Sequence, residues 1–263
     1  MTLPADAQIA SVRLVVSHLD RSLRFYRETL GFEVVDHAGG HATLAAADGP
    51  VLIELMERSD AVPRPRRSAG LYHFAILVPS RAALGRSIRR LVDKRWSITG
   101  AADHLVSEAI YLDDPDGLGI EIYRDRPRES WCMDQGQVAM ATDPLDLDSV
   151  VDEPGAERPW TGLDRGTIIG HVHLHVSSLP DAEALYCGDV GFTPMLRRYP
   201  GALFVAAGGY HHHVGLNTWA GVGAPPPPDQ AVGMRGVTVV AAGLPARVVH
   251  DASTGVAITM ASA

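Results

Sequence analysis

The sequence predicts an α+β fold built from four copies of one βαβββ unit, the fourth shortened. Three observations carry this reading. The chain repeats itself: Ser11-Val-Arg-Leu-Val-Val-Ser17 returns as His171-Val-His-Leu-His-Val-Ser177, an offset of 160 residues. The same offset aligns Leu19 with Leu179, Tyr26 with Tyr186, Gly31 with Gly191 and Phe32 with Phe192. The opening strand recurs at residues 72–78 and, more weakly, at 235–240. Finally, the apolar spacing switches from strand-like to helix-like and back within each of the first three copies.

The elements follow in order. Residues 11–16 form a β-branched-rich strand. Leu23, Tyr26, Arg27 and Leu30 then fall at helical offsets of three and four, and Gly31 stands where glycine ends a helix. Short strands near 33–36, 42–46 and 51–56 complete the first unit, separated by Gly, Pro and Asp turns. In the second unit Ser80 is an N-cap, and Leu84, Ile88, Leu91 and Val92 form the apolar helix face. The units span about 9–58, 68–125, 168–219 and 231–263. Domain organisation is therefore read as 1–125 (units one and two), a connection over 126–167, and 168–263 (units three and four). The connection holds Pro127, Pro144, Pro154 and Pro159 and an acidic run, and reads as an ordered surface segment with at most a short strand and helix. Pro225–Pro228 reads as an extended break before the fourth unit.

Composition narrows the function classes. The 263 residues carry 23 Lys+Arg and 31 Asp+Glu, a formal charge of −8, so no basic footprint for nucleic acid is present. No apolar run reaches the length of a membrane span, and the first residues lack the charged and apolar regions of a secretory signal. Cys132 and Cys187 fit no metal or disulfide pattern, which points to the cytoplasm. Twelve histidines against five phenylalanines is the anomaly: something uses imidazole.

Four βαβββ units of this kind resemble the vicinal oxygen chelate superfamily, which includes glyoxalases, extradiol dioxygenases, thiol transferases and antibiotic-sequestering proteins. The resemblance implies that units pair their sheets into half-open barrels, two in this chain, and that such a barrel cups a metal. Within the second unit, His104-Leu-Val-Ser-Glu-Ala-Ile-Tyr111-Leu-Asp-Asp114-Pro-Asp-Gly117-Leu-Gly-Ile-Glu121 resembles the extradiol ring-cleavage signature. It departs at Ala102, where that signature has Gly, Asn, Thr, Ile or Val. Asp114-Pro-Asp-Gly117 is a turn sequence joining the strands of Tyr111 and Glu121, so both side chains can enter one cavity.

By this resemblance Glu121 is the carboxylate ligand of iron, His73 is a histidine ligand, and His104 and Tyr111 stand behind the ligands. A non-haem Fe(II) site takes two histidines and one carboxylate on one face. The second histidine should come from the opening strand of the partner unit. The first unit offers Ser11 there and the third offers His171, so unit two is expected to pair with unit three, and one with four. The stretch 202–216 resembles the extradiol strand that supplies an acid-base histidine, with His212 its best match. On strand alternation, His211 and His213 would face away from His212, and His173 and His175 would be hydrogen-bonded neighbours of His171. His18, His37, His41 and His250 read as surface positions.

The implied activity is Fe(II)-dependent cleavage of a catechol or hydroquinone ring by O2, with Mn(II) accepting the same ligands. The expected partners are a small aromatic diol and O2, with neither nucleic acid nor membrane, and a homo-oligomer is an open expectation. Two other readings stand beside it. A glyoxalase- or thiol-transferase-like metal enzyme would want a second carboxylate, for which Glu54 is the candidate. A resistance-type protein would bind a small aromatic without catalysis.

Overall fold

The computed structural model describes residues 2–263. The strands, in chain order, are β1 (Gln8–Val16), β2 (Glu33–Ala38), β3 (His41–Ala45), β4 (Val51–Glu57), β5 (Gly70–Leu77), β6 (Gly100–Asp103), β7 (Ser107–Asp113) and β8 (Gly119–Asp125). After the two-residue strands β9 (Met133–Asp134) and β10 (Gln137–Val138) come β11 (Ile168–His175), β12 (Thr193–Leu196), β13 (Ala202–Ala206) and β14 (Val214–Asn217). The fourth unit supplies β15 (Gly233–Ala241), β16 (Arg247–Asp251) and β17 (Val256–Ser262), with no helix among them.

These strands form two large curled sheets. One has seven strands in the order β16-β17-β15-β1-β4-β3-β2, joining units four and one. The other has eight, β12-β13-β14-β11-β5-β8-β7-β6, joining units three and two. The expected fold class and its swapped pairing are both present. The repeat extends to backbone irregularities. The β11–β5 ladder shifts register between Ile169 and His171 and between His173 and Leu174. The β1–β15 ladder shifts between Ile9 and Ser11 and between Arg13 and Leu14, the same places 160 residues earlier. Such shifts bend a strand and re-aim its side chains, so both junctions are built alike.

The helices are short except α2 (Arg81–Asp93), where the Ser80 hydroxyl accepts from Ala83 N at 3.1 Å as the sequence predicts. Leu84, Ile88 and Leu91 are buried, but Val92 is 65% exposed and lies outside the apolar face assigned to it. At 100° per residue Val92 turns beyond the stripe set by the other three. The helices of units one and three do not run as plain α-helix. Leu19–Arg24 and Leu179–Glu183 each open into a wider π turn, Phe25–Thr29 and Ala184–Val190. Both π turns carry a buried tyrosine, Tyr26 and Tyr186. Gly191, at φ 103°, closes the second in a conformation that costs glycine little.

One continuous apolar core runs through both sheets and the helices, including Leu14, Phe25, Phe74, Leu84, Leu174 and Val237. Among the described residues no helix is long and apolar enough to cross a membrane. Both cysteines are free thiols. His18, His37, His41 and His250 are exposed.

Candidate metal centre

The concave face of the eight-stranded sheet collects the unusual residues. His171 stands opposite Ala75 across β11 and β5, and Ala75 stands beside Glu121 across β5 and β8. Two side chains on alternate strands are too far apart to meet unless the residue between them is small. Ala75 is that residue, and His171 Nε2 reaches Glu121 Oε2 at 3.0 Å over it. His73, two residues earlier on β5 and so on the same face, brings its Nε2 to 2.9 Å from the same oxygen. One ligand atom from each of these three residues lies within 4.8 Å of the others, and all three residues are buried.

The spacing of the three donor atoms suits a metal ion. Ligand atoms about 2.1 Å from a metal and at right angles to one another lie about 3 Å apart, the separation of Glu121 Oε2 from each histidine nitrogen. His73 Nε2 is buried and makes no hydrogen bond among the described residues, despite its closeness to the carboxylate. An unpaired buried polar atom costs roughly 1–3 kcal/mol, and a bound cation would pair it. Burial pushes the Glu121 carboxyl up, but His171 and His73 outweigh it and hold the group well below its ordinary value. Burial lowers His171 to about 4, with Glu121 offsetting only part of that. An ionised carboxylate and a neutral imidazole are the forms that bind metal. The donor set fits a divalent transition metal.

A cavity of about 310 Å³ opens above His73 and Glu121. Its walls include Tyr72, His104, Tyr111, His173, Tyr199, Phe204, His212 and Trp219 besides His73 and Glu121. The volume is at the low end for ligand sites and suits a single-ring compound. Tyr111 is the direct cross-strand neighbour of Glu121. The turn that sets this register is held by Asp114, whose Oδ1 accepts from Asp116 N at 2.8 Å and Leu118 N at 2.9 Å.

His104 bridges Tyr111 and the connection. Its Nδ1 lies 2.6 Å from the carbonyl of Ala141, which can only accept, so that nitrogen carries the proton. Its Nε2, 2.5 Å from the Tyr111 hydroxyl, accepts from it when the ring is neutral. Burial, with Glu121 nearby, holds the Tyr111 phenol well above its ordinary pKa and therefore protonated. His173 and His175 are joined through Asn217. The Trp219 backbone N–H donates to Asn217 Oδ1 at 3.0 Å, which fixes the amide so that Nδ2 donates to His173 Nε2 at 2.9 Å. The His173 ring lies against Gly215, where a Cβ would come within 2.8 Å of it.

All six candidate residues thus converge: His73 and Glu121 at the floor, His171 joined to Glu121, and His104, Tyr111 and His212 around them. The histidine run does not alternate as a strand would. Residues 211–213 precede β14 and are not strand, so His211 turns toward His212 rather than away from it. His213 takes a different role, accepting from Ala207 N at 3.2 Å beneath Phe192. Glu54 lies in the other sheet and pairs with Arg13 at 2.9 Å, so it supplies no second carboxylate here.

Sequence reasoning missed the aromatic wall and the part played by the connection. Met140, Ala141 and Thr142 line the cavity, because Asp143 bridges to Asp103 at the end of β6 and draws the preceding residues over the site. Thr142 and Tyr199 share a hydrogen bond of 2.7 Å across the mouth. A signal existed for Trp219, which follows the histidine run closely; none marked Met140.

Residues 8–122 match the family described as glyoxalase/bleomycin resistance protein/dioxygenase superfamily. The chain is 48% identical over 239 residues to a protein of Bacillus subtilis (strain 168) named catechol-2,3-dioxygenase, covering 89% of this chain and 83% of that one. This chain belongs to the glyoxalase/bleomycin resistance/dioxygenase superfamily. Solved structures agree on the fold. A putative dioxygenase of Bacillus subtilis superposes with a TM-score of 0.61 at 15% identity, over 97% of this chain and 84% of its own. A glyoxalase I variant of Zea mays superposes with a TM-score of 0.57 at 13% identity, over 97% of this chain and 92% of its own.

Proposed function

We propose that the chain is a non-haem Fe(II)-dependent, extradiol-type dioxygenase that opens the ring of a small catechol or hydroquinone with O2. The observation that carries this reading is the buried His73–Glu121–His171 cluster at the floor of an aromatic-walled cavity. The 48% identical relative named catechol-2,3-dioxygenase supports it. Iron held by these three residues would supply Lewis acidity toward the diol and an electron path to O2.

The protein residues have separable tasks. Glu121 gives the site one negative charge, and His73 and His171 give it imidazole nitrogen donors. Burial, with His171 beside it, holds His212 well below the ordinary histidine pKa, so it stands neutral in the cavity, and in the proposed reaction its ring nitrogen accepts the hydrogen bond of a substrate hydroxyl and exchanges that proton with it. Tyr111, its own proton directed to His104, keeps oxygen lone pairs free to accept from the substrate. Tyr72, Tyr199, Phe204 and Trp219 give the ring apolar faces to lie against and keep water out. Mn(II) suits the same donors. Two free thiols suit a reducing compartment such as the cytoplasm.

The test is anaerobic reconstitution with Fe(II), then O2 and a panel of catechols and hydroquinones. Oxygen uptake with a yellow ring-opened product is expected for at least one diol. Bound iron with no uptake across the panel would contradict the proposal.

A further inference from the structure

Behind His212 lies a chain of hydrogen bonds that leads out of the cavity. His212 Nδ1 is 2.7 Å from His211 Nδ1. His211 Nε2 is 2.9 Å from Asp125 Oδ1. The other carboxylate oxygen of Asp125 accepts from the Tyr210 hydroxyl at 2.9 Å. Tyr210, its proton spent, accepts in turn from Tyr123 at 2.7 Å. The His211 side chain is fully buried, and the ring of Trp131, from the connection, packs over it at 5.1 Å. The Asp125 side chain is 25% exposed, so the chain of bonds ends at solvent.

The direction of each bond follows from what each group can do. A carboxylate accepts, so His211 carries its proton on Nε2. The Nδ1 of a neutral His211 is then a lone pair, and the short contact between the two Nδ1 atoms needs one donor. With His211 in its neutral form, His212 supplies it. That leaves Nε2 as the unprotonated nitrogen of a ring that lines the cavity.

We propose that Asp125 and His211 are positioning residues for His212: together they fix its proton on Nδ1 and present a bare Nε2 to the substrate. The inference rests on the proposed function, in which His212 is the acid-base group. A carboxylate orienting one imidazole is a familiar arrangement; here a second imidazole extends it. Asp125 ends β8, four residues beyond Glu121, so one strand supplies both the carboxylate of the metal cluster and the orienting one.

The experiment is nitrogen-15 NMR on the full chain, metal-free and with diamagnetic Zn(II) bound, at neutral pH. The His212 signals are assigned by their loss in His212→Gln. The expected result is His212 protonated at Nδ1 and bare at Nε2; a proton on Nε2 overturns the proposal, whatever the variants do. Asp125→Ala and His211→Phe should then release His212 to the Nε2-protonated form. They should lower kcat about tenfold to a hundredfold, with KM and iron content unchanged. Wild-type kcat in both variants also overturns it. Absence of turnover in the wild type with the Nδ1 tautomer in place would count against ring cleavage while upholding the relay.

Discussion

Ala75 decides whether His171 and Glu121 can meet. Both flank it on neighbouring strands, and its methyl group leaves the gap over which they lean together. The floor around it is equally tight: Ala75 packs with Ala109 and Tyr123 in a small buried cluster. Ala75→Val would place two methyl groups in that gap. The expected outcome is at least a tenfold loss of metal affinity in a direct titration, with a stability loss of about 1–3 kcal/mol from overpacking. Wild-type affinity in Ala75→Val would mean that the gap is not needed. Gly215 plays a comparable part under His173, whose ring fills the space a side chain would take. None of this was legible in the sequence, where Ala75 is one apolar residue in an apolar strand. The three residues of the candidate cluster were legible because the spacing around Glu121 resembles a known signature and because His73 and His171 open two copies of the repeat.

Two turns show one device used twice. Tyr26, in the π turn of the first unit, donates to Asp114 Oδ2 at 3.1 Å, 88 residues away in the second. Tyr186, its equivalent, donates to Asp251 Oδ2 at 3.1 Å in the fourth unit. In each turn the other oxygen of the aspartate accepts from backbone N–H groups that follow it, Asp116 and Leu118 in one, Ser253 and Thr254 in the other. The turn at Asp114-Pro-Asp-Gly117 could be read from its residue types, but not its tyrosine partner, since a contact at that separation depends on how the units stack. Burial, only partly offset by the backbone bonds, raises Asp114 to about 6. Its native pKa then exceeds the unfolded value of about 3.9, so the folded state binds the extra proton between these values. The contribution of Asp114 to stability is therefore full below about pH 4 and is lost as pH rises through 6, a change of roughly 3 kcal/mol. Asp114→Asn should remove this dependence. In urea melts from pH 4 to 7.5, the wild type should lose stability relative to Asp114→Asn as pH rises; a constant difference would contradict the assignment.

The whole molecule is one architecture used twice, with the candidate metal cluster in one copy. By equivalent register, the positions of His171, His73 and Glu121 fall in the seven-stranded sheet at Ser11, Gly236 and Thr259. None of these is a strong transition-metal ligand, so that sheet backs the other through the shared core rather than holding a second ion. The swapped pairing was legible because a metal-ligating residue type stands at His171 and none at Ser11, at the 160-residue offset of the repeat. The cavity roof was not, because the bridge between Asp103 and Asp143 that draws Met140–Thr142 over the site joins two segments of no distinctive composition. If units two and three, and no other pair, hold a single metal, its ligands lie at His171 and not at Ser11. Metal analysis of Fe(II)-reconstituted chains, comparing the wild type with His171→Ala and Ser11→Ala, decides this. One metal per chain is expected in the wild type and in Ser11→Ala, and almost none in His171→Ala; full occupancy in His171→Ala would mean that units two and three do not share the metal.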